Sequence, residues 1–586
     1  MISTGRAVPD HVLGVPIHRW LVGVAVLPFL ASAVALVVGV GGSYAPVSDA
    51  ALAEMLVRDV GHHPVLLGLY SRDDWSHPGP LLYYLLAPFY WATGGSSIGL
   101  NLGALAINGG SVIGMGLIAR RRAGNAAMLA SFLGSALMMR TLGAEFLHSE
   151  WNPFVTTLPF GLLVFLVWSM LAGDRGASPI AVFVASYLAQ AHVGYVALAV
   201  PLLALGVIGL VVAVVRDPAS GGWRSLTRTG LVSVAIGGVV WMPTFIDTAF
   251  GSPRNLVNIV EWFRTADQGL NSVSGGLRVM SSQFGIWPEW ATTTRAPGLV
   301  GESVYLGSPV APWVLLAVVV AAVVLWRRNQ AGRALVVAAA ATFTLGVVAI
   351  ARTVGIAFQY RLFWTYIPPL IGFVILALAG WRTISTWRGP DVRRPVAVGA
   401  GVALLVLTGV NVITATRAGT PHEGDAAAMR ALTAPVLDQL DGSDGPVLVS
   451  DPLYSGAWYA RGLVLQLEKH GIEAVVPPNR TYEAAEHRVY RGGPLAARVV
   501  VVDNAVVPVL QQREDLTLIA EWSAVSEQRA ADYERDVGAG QADIDAGRID
   551  PAEFKRAVEE RHRELHPTGA TAYRVAVFLE DQPIGG

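Results

Sequence analysis

Cysteine is missing from all 586 residues, which excludes disulfides, thiolate metal sites and cysteine nucleophiles and leaves the redox compartment open. Lysine is nearly missing too. Lys469 and Lys555 stand alone among a positive charge that is otherwise arginine, which with heavy Ala, Val and Gly use is the composition of a high-GC genome. Charge of either sign is scarce: Asp, Glu, Lys and Arg make up 15% of the chain, against about 25% in an average soluble protein. Too little polar side chain remains to cover a large water-soluble globule. There is no basic excess either. A net charge of −1 offers none of the surplus that a nucleic-acid partner requires. Internal repeats and low-complexity tracts are also lacking.

What is present is apolar sequence, 53% of the residues, with a mean hydropathy of +0.48. A helix crossing the hydrocarbon core needs about 20 mostly apolar residues. Candidate spans fall near 20–40, 97–118, 124–142, 153–172, 178–194, 196–215, 230–247, 309–326, 332–352, 363–381 and 396–414, which makes about eleven transmembrane helices. The first run, behind Arg6 and Arg19, is longer than the apolar core of a signal peptide and is read as a retained helix. Arginines such as Arg120, Arg121, Arg122, Arg327, Arg328, Arg393 and Arg394 gather in one set of loops. Acids gather in the other set. Positive loops face the cytoplasm, so the expectation is a multi-pass plasma-membrane protein with its N-terminus inside and its C-terminal region extracytoplasmic. Two long outer loops cover 41–96 and 248–308. Within the first, Leu81–Thr93 is apolar but short and carries Pro88, so it reads as a helix lying in the interface with Tyr83, Tyr84, Tyr90 and Trp91 at headgroup depth.

The pattern changes near Gly419. Short β-type runs at Pro446–Ser450, Glu473–Val476, Ala497–Val502, Leu516–Ala520 and Tyr573–Leu579 alternate with helical stretches near 425–440, 456–470, 524–546 and 551–565. That alternation predicts an α/β domain with a largely parallel sheet over 419–586, behind a transmembrane domain over 1–418. The first strand-to-helix turn, Ser450-Asp451-Pro452-Leu453-Tyr454-Ser455-Gly456, holds one glycine and so lacks a dinucleotide fingerprint.

Chemistry concentrates between the first and second spans. Ser48-Asp49 is followed by Ala53-Glu54, Leu67-Gly68-Leu69-Tyr70, then Asp73-Asp74-Trp75-Ser76-His77-Pro78-Gly79-Pro80 and Tyr84. Carboxylates beside a low-dielectric boundary are costly unless they are ligated or functional. The order of these elements resembles the first periplasmic loop of GT-C-fold glycosyltransferases, in particular the lipid A aminoarabinose transferases and protein O-mannosyltransferases. The motif lies in residues 48–84, and the likeness of topology extends over about 20–415. Two positions depart from the family pattern: Ala50 stands where many members carry a second acid, and Ser76 stands where they carry an acid before the Lys/His-Pro pair.

The resemblance implies a polytopic GT-C-like fold that moves a sugar from a polyprenyl-phosphate donor to a cell-envelope glycan, lipid or protein acceptor at the bilayer. It places Asp49 where the family has its base for the acceptor hydroxyl or a metal ligand, with Asp74 or Asp73 as catalytic partner. Asp49 and Asp74 would hold a divalent metal ion if one takes part. Such a transfer needs a base and cations for the departing phosphate. Gln359-Tyr360-Arg361 suits the second need because a guanidinium binds phosphate as a fork; an arginine snorkelling at the interface is the plainer reading. His77 faces the phosphate or a metal, or caps the following helix. His148 and Glu150, with Glu145, and His192 are further substrate-binding candidates, with packing as the alternative for His192. Glu289, Trp287 and Trp290 could hold a sugar ring or belong to the interface. A transporter or flippase is the competing class. Its usual midplane ionisable residues are sparse here, since the acids lie in outer loops.

Overall fold

The computed structural model describes residues 11–581 apart from 13–14, 72, 218–221, 252–253, 267–268, 270, 293–312, 328–329, 356–357, 388, 443, 546–547, 549–564 and 566–569. The helix expected at 551–565 therefore lies outside the described residues except for Leu565, and so does Arg72. By length and composition, eight helices among the described residues can cross a membrane: Ile17–Gly39, Ile98–Ala123, Asn152–Leu171, Val193–Arg216, Gly222–Phe250, Gln330–Ala351, Gln359–Ile384 and Val392–Arg417. Helices also stand at the three other expected spans, Asn125–Leu142, Ala177–Ala191 and Trp313–Trp326. The interruption at His192 arises because its backbone is extended (φ −153°, ψ 120°), which ends one helix before the next begins.

The chain divides into two compact units. The first comprises residues 1–39, 64–89 and 99–418; the second comprises 40–63, 90–98 and 419–586. Sequence reading gives all of 41–96 to the outer loop of the membrane domain. The structure instead groups the helix Ser48–Asp59 with the C-terminal residues.

In the first unit, helix Thr157–Leu171 is buried on nearly every face, as its uninterrupted apolar sequence demands. Trp168 donates from Nε1 to the Ala331 carbonyl at 2.8 Å. Helices Ile17–Gly39 and Gly389–Arg417 instead expose Leu30, Val34, Val38, Val398, Val402 and Leu405, the face a bilayer would cover. Buried amides tie helices to neighbouring backbone: Asn108 to the Leu147 carbonyl at 2.9 Å and Asn411 to the Ala136 carbonyl at 2.9 Å.

The second unit is built on a five-stranded sheet in the spatial order Ala474–Val475, Val447–Ser450, Ala497–Asp503, Arg574–Glu580, Leu516–Ser523. Each strand expected from sequence is present within one to three residues. The first three run parallel. Arg574–Glu580 enters antiparallel to both its neighbours, so the sheet is mixed where a largely parallel one was expected. The reason is order in the chain: the last strand fills a gap between two strands already pointing the same way. Its residues Val575, Ala576, Val577 and Phe578 are all fully buried, as a central strand covered on both faces requires.

Candidate functional site

The sequence His77-Pro78-Gly79-Pro80 has a physical explanation in the first unit. Tyr70–Ser71 and Trp75–Ser76 form a short antiparallel hairpin. The amide of Gly68 donates to the His77 carbonyl at 2.9 Å, and the His77 amide donates to the Leu69 carbonyl at 2.8 Å. A Cβ at Gly68 would lie 2.8 Å from the His77 Cβ and 2.9 Å from its carbonyl oxygen. One at Gly79 would meet the buried Gln190 side chain, which donates to the Val240 carbonyl and accepts from the Leu81 amide. Gly68→Ala therefore forces backbone apart where no flexible side chain can yield. We expect it to lower stability by about 1–3 kcal/mol, read as a lower Tm in detergent. An unchanged Tm would show that the close approach is not needed.

The second long loop holds this hairpin in place. Asn255, at the start of helix Asn255–Thr265, accepts from the Ser76 amide and donates to the Ser76 carbonyl, both at 2.8 Å. Thr244 donates to the Pro78 carbonyl at 2.9 Å. Trp75 packs edge-on against Trp262, with centroids 5.8 Å apart. Sequence reading assigned no role to Asn255 or Trp262, which carry no motif.

These constraints seat His77 among charge-bearing neighbours. It is 8% exposed, its Nδ1 accepts from the Val193 amide at 3.3 Å, and its ring lies 4.7 Å from that of His192. His192 in turn accepts from the Gly194 amide through its own Nδ1. Burial, then the charges of His192 and Arg361, hold the His77 imidazole well below its ordinary 6.5. His77 is thus neutral at physiological pH, with Nε2 carrying the proton because Nδ1 accepts. The unfolded chain takes up a proton near 6.5, so this group's contribution to stability is full above that pH. It is lost as pH falls towards the folded value, by up to about 1.4 kcal/mol per pH unit. Unfolding followed at pH 7.5, 6 and 5 is expected to show Tm falling with pH and a shallower fall in His77→Gln. Equal slopes would contradict the assignment.

Arg361 lies in the buried 3-10 segment Gln359–Tyr366. Its Nε donates to the Tyr360 hydroxyl at 3.2 Å, and its guanidinium sits 5.3 Å from the Phe358 ring centroid and 5.6 Å from that of Tyr360. The Tyr360 ring also packs against Phe358 and Trp151, with centroids 5.6 and 5.0 Å away. Among the described residues no carboxylate forms an ion pair with Arg361. A guanidinium set against aromatic rings keeps a planar fork of donors, which suits an oxyanion such as phosphate.

The remaining candidates separate. Asp73 and Asp74 stay on the hairpin turn, where Ser71 donates to Asp73 and Tyr70 to Asp74, both at 3.3 Å; Asp74 is exposed with φ +59°. Tyr84 donates to the Val65 carbonyl. His148 is buried with Nδ1 3.0 Å from the Ser32 hydroxyl, while Glu150 accepts from Asn101 at 2.8 Å. The same Asn101 amide also donates to the His148 carbonyl at 3.0 Å. Trp290 is buried against Phe373, and Trp287 is exposed.

Asp49 belongs to the second unit. It sits in the first turn of helix Ser48–Asp59, where the positive end of the helix favours an acid. Arg461 reaches its Oδ1 at 3.4 Å, and the Asp49 side chain remains 38% exposed. Arg461 also binds Glu483 at 2.9 Å. Glu54, the acid of the Ala-Glu pair, is fully buried: Lys469 lies 2.7 Å away and the Tyr90 hydroxyl donates to it at 3.0 Å. Sequence reading missed both Arg461 and Lys469. Lys469 had a signal, being one of two lysines in the chain. Neither Asp49 nor Asp74 shares a point with two further His or carboxylate ligands among the described residues, where the one such group is Asp59, His63 and His487.

A bundle of apolar helices, a clamped first loop and an α/β unit at the C-terminus define a polytopic membrane protein of the GT-C fold. A solved structure similar to it is ArnT from Cupriavidus metallidurans in the apo state, which matches over 86% of this chain and 96% of its own at 14% identity and a TM-score of 0.51. ArnT from the same organism bound to undecaprenyl phosphate matches over the same shares at 13% identity and a TM-score of 0.49. No protein-family model matches the chain, and no curated protein matches it by sequence.

Proposed function

We propose that this chain is a membrane glycosyltransferase that moves a sugar from a polyprenyl-phosphate donor to a cell-envelope glycan, lipid or protein acceptor on the outer face of the plasma membrane. The observation that carries this reading is Arg361, set against Phe358 and Tyr360 and without a carboxylate partner among the described residues, in a chain with the ArnT fold. In the reaction, the acceptor hydroxyl oxygen attacks the anomeric carbon. The bond from that carbon to the phosphate oxygen breaks, and the polyprenyl phosphate leaves with the electron pair. Asp49 takes the hydroxyl proton as base. Arg361 gains interaction as charge grows on the leaving phosphate, and neutral His77 is a hydrogen-bond donor through Nε2. Asp73 and Asp74, on their exposed turn, suit contact with the acceptor.

The test is incubation of purified protein with polyprenyl-phosphate sugars and candidate acceptors, beside a flux assay in proteoliposomes. Covalent transfer supports the proposal. Movement of an intact substrate across the bilayer without transfer would replace it with the transporter reading.

A further inference from the structure

We propose that Asp59, His63 and His487, all in the second unit, form a binding site for a borderline divalent cation such as zinc, distinct from the glycosyl-transfer groups. Helix Ser48–Asp59 ends at Asp59, and the chain turns back at Gly61 with φ +89°. The His63 amide then donates to the Asp59 carbonyl at 2.8 Å, which returns the imidazole to the carboxylate four residues earlier. His487 arrives on the 3-10 turn Glu486–Arg488, entered through Ala485 at φ +66° and ψ 155°, a backbone conformation that favours glycine. There its Nε2 lies 3.4 Å from Asp59 Oδ1, and its ring stacks on that of His63 at 3.8 Å and 9°. One ligand atom from each residue lies within 4.8 Å of the other two.

Zinc bonds of about 2.0–2.1 Å in a tetrahedron put neighbouring ligand atoms about 3.4 Å apart. The Asp59–His487 edge already has that length, and the exposed His63 closes the set by rotation about its side-chain bonds. Burial does not explain the pairing of the two rings, because both histidines are exposed. The carboxylate is held for the task. Arg488 donates to both Asp59 oxygens at 2.7 and 2.8 Å, which leaves further lone pairs on each. Arg488 also binds Glu468 at 2.6 and 3.1 Å, so its charge is shared between two carboxylates. A ligand carboxylate oriented by its own partner is the usual support of a metal site. Two nitrogens and one oxygen favour zinc, cobalt or nickel over magnesium or calcium, with a fourth position open to solvent.

The full-length chain, purified without a polyhistidine tag, is titrated with Co2+ and followed by visible absorption, with Zn2+ and Mg2+ as competitors. The expected result is one ion per chain, displaced by Zn2+ but not by Mg2+. Affinity should fall at least tenfold in His63→Ala and in His487→Ala and stay unchanged in His62→Ala. Absence of saturable Co2+ binding would overturn the proposal, as would binding that His63→Ala and His487→Ala leave intact.

Discussion

Asp49→Asn is expected to lower sugar transfer by roughly 10²–10⁴-fold, the usual worth of a positioned general base, while donor binding changes little. Asparagine keeps the volume of aspartate and still accepts the Arg461 hydrogen bond seen at 3.4 Å, so the helix start and its partner are preserved. What is lost is the ability to take the acceptor's proton. The substitution thus separates chemistry from structure better than alanine, which would also free Arg461 from one of its two carboxylates. Measured kcat should carry the loss and KM for the donor should not. Unchanged kcat in Asp49→Asn would remove Asp49 as the base.

Arg361→Ala is expected to cost about 10²–10³-fold in kcat/KM, the range found when a donor to developing charge is removed. The larger share should appear in kcat, because the phosphate gains charge as the glycosidic bond breaks. Arg361→Lys provides the sharper comparison. Lysine keeps the charge but loses the planar fork and its packing on Phe358 and Tyr360, so it should rescue only part of the loss. Full activity in Arg361→Ala would reduce this residue to an interfacial anchor.

Much of the fold was legible because apolar length and β-type runs are local signals. Apolar helices stand at every expected span, and the short apolar helix lies at Leu81–Ala92, within the expected stretch. The strands of the second unit are also where the short Val-rich runs put them. What periodicity could not show is which distant residues meet. Asp49 with Arg461, Glu54 with Lys469 and Asp59 with Arg488 are each separated by more than 400 residues, and nothing in the spacing of one partner encodes the other. For the same reason the helix Ser48–Asp59 was given to the membrane domain, although three of its acids pair with side chains of the C-terminal segment. The insertion of Arg574–Glu580 between two strands was equally hidden, since sequence order does not fix spatial order in a sheet. The candidate site was legible in part: the His-Pro-Gly-Pro turn and Arg361 were visible as residue types. The pinning of Ser76 by Asn255 was not, because one asparagine in a long loop carries no distinguishing pattern.

Covalent transfer and passage of an intact lipid are told apart by a product balance. Purified protein in proteoliposomes is given a polyprenyl-phosphate sugar labelled in both lipid and sugar, together with an acceptor. Free polyprenyl phosphate and glycosylated acceptor are expected in equal amounts, with both lost together in Asp49→Asn. Labelled donor that crosses the bilayer intact, with no polyprenyl phosphate released, would contradict covalent transfer.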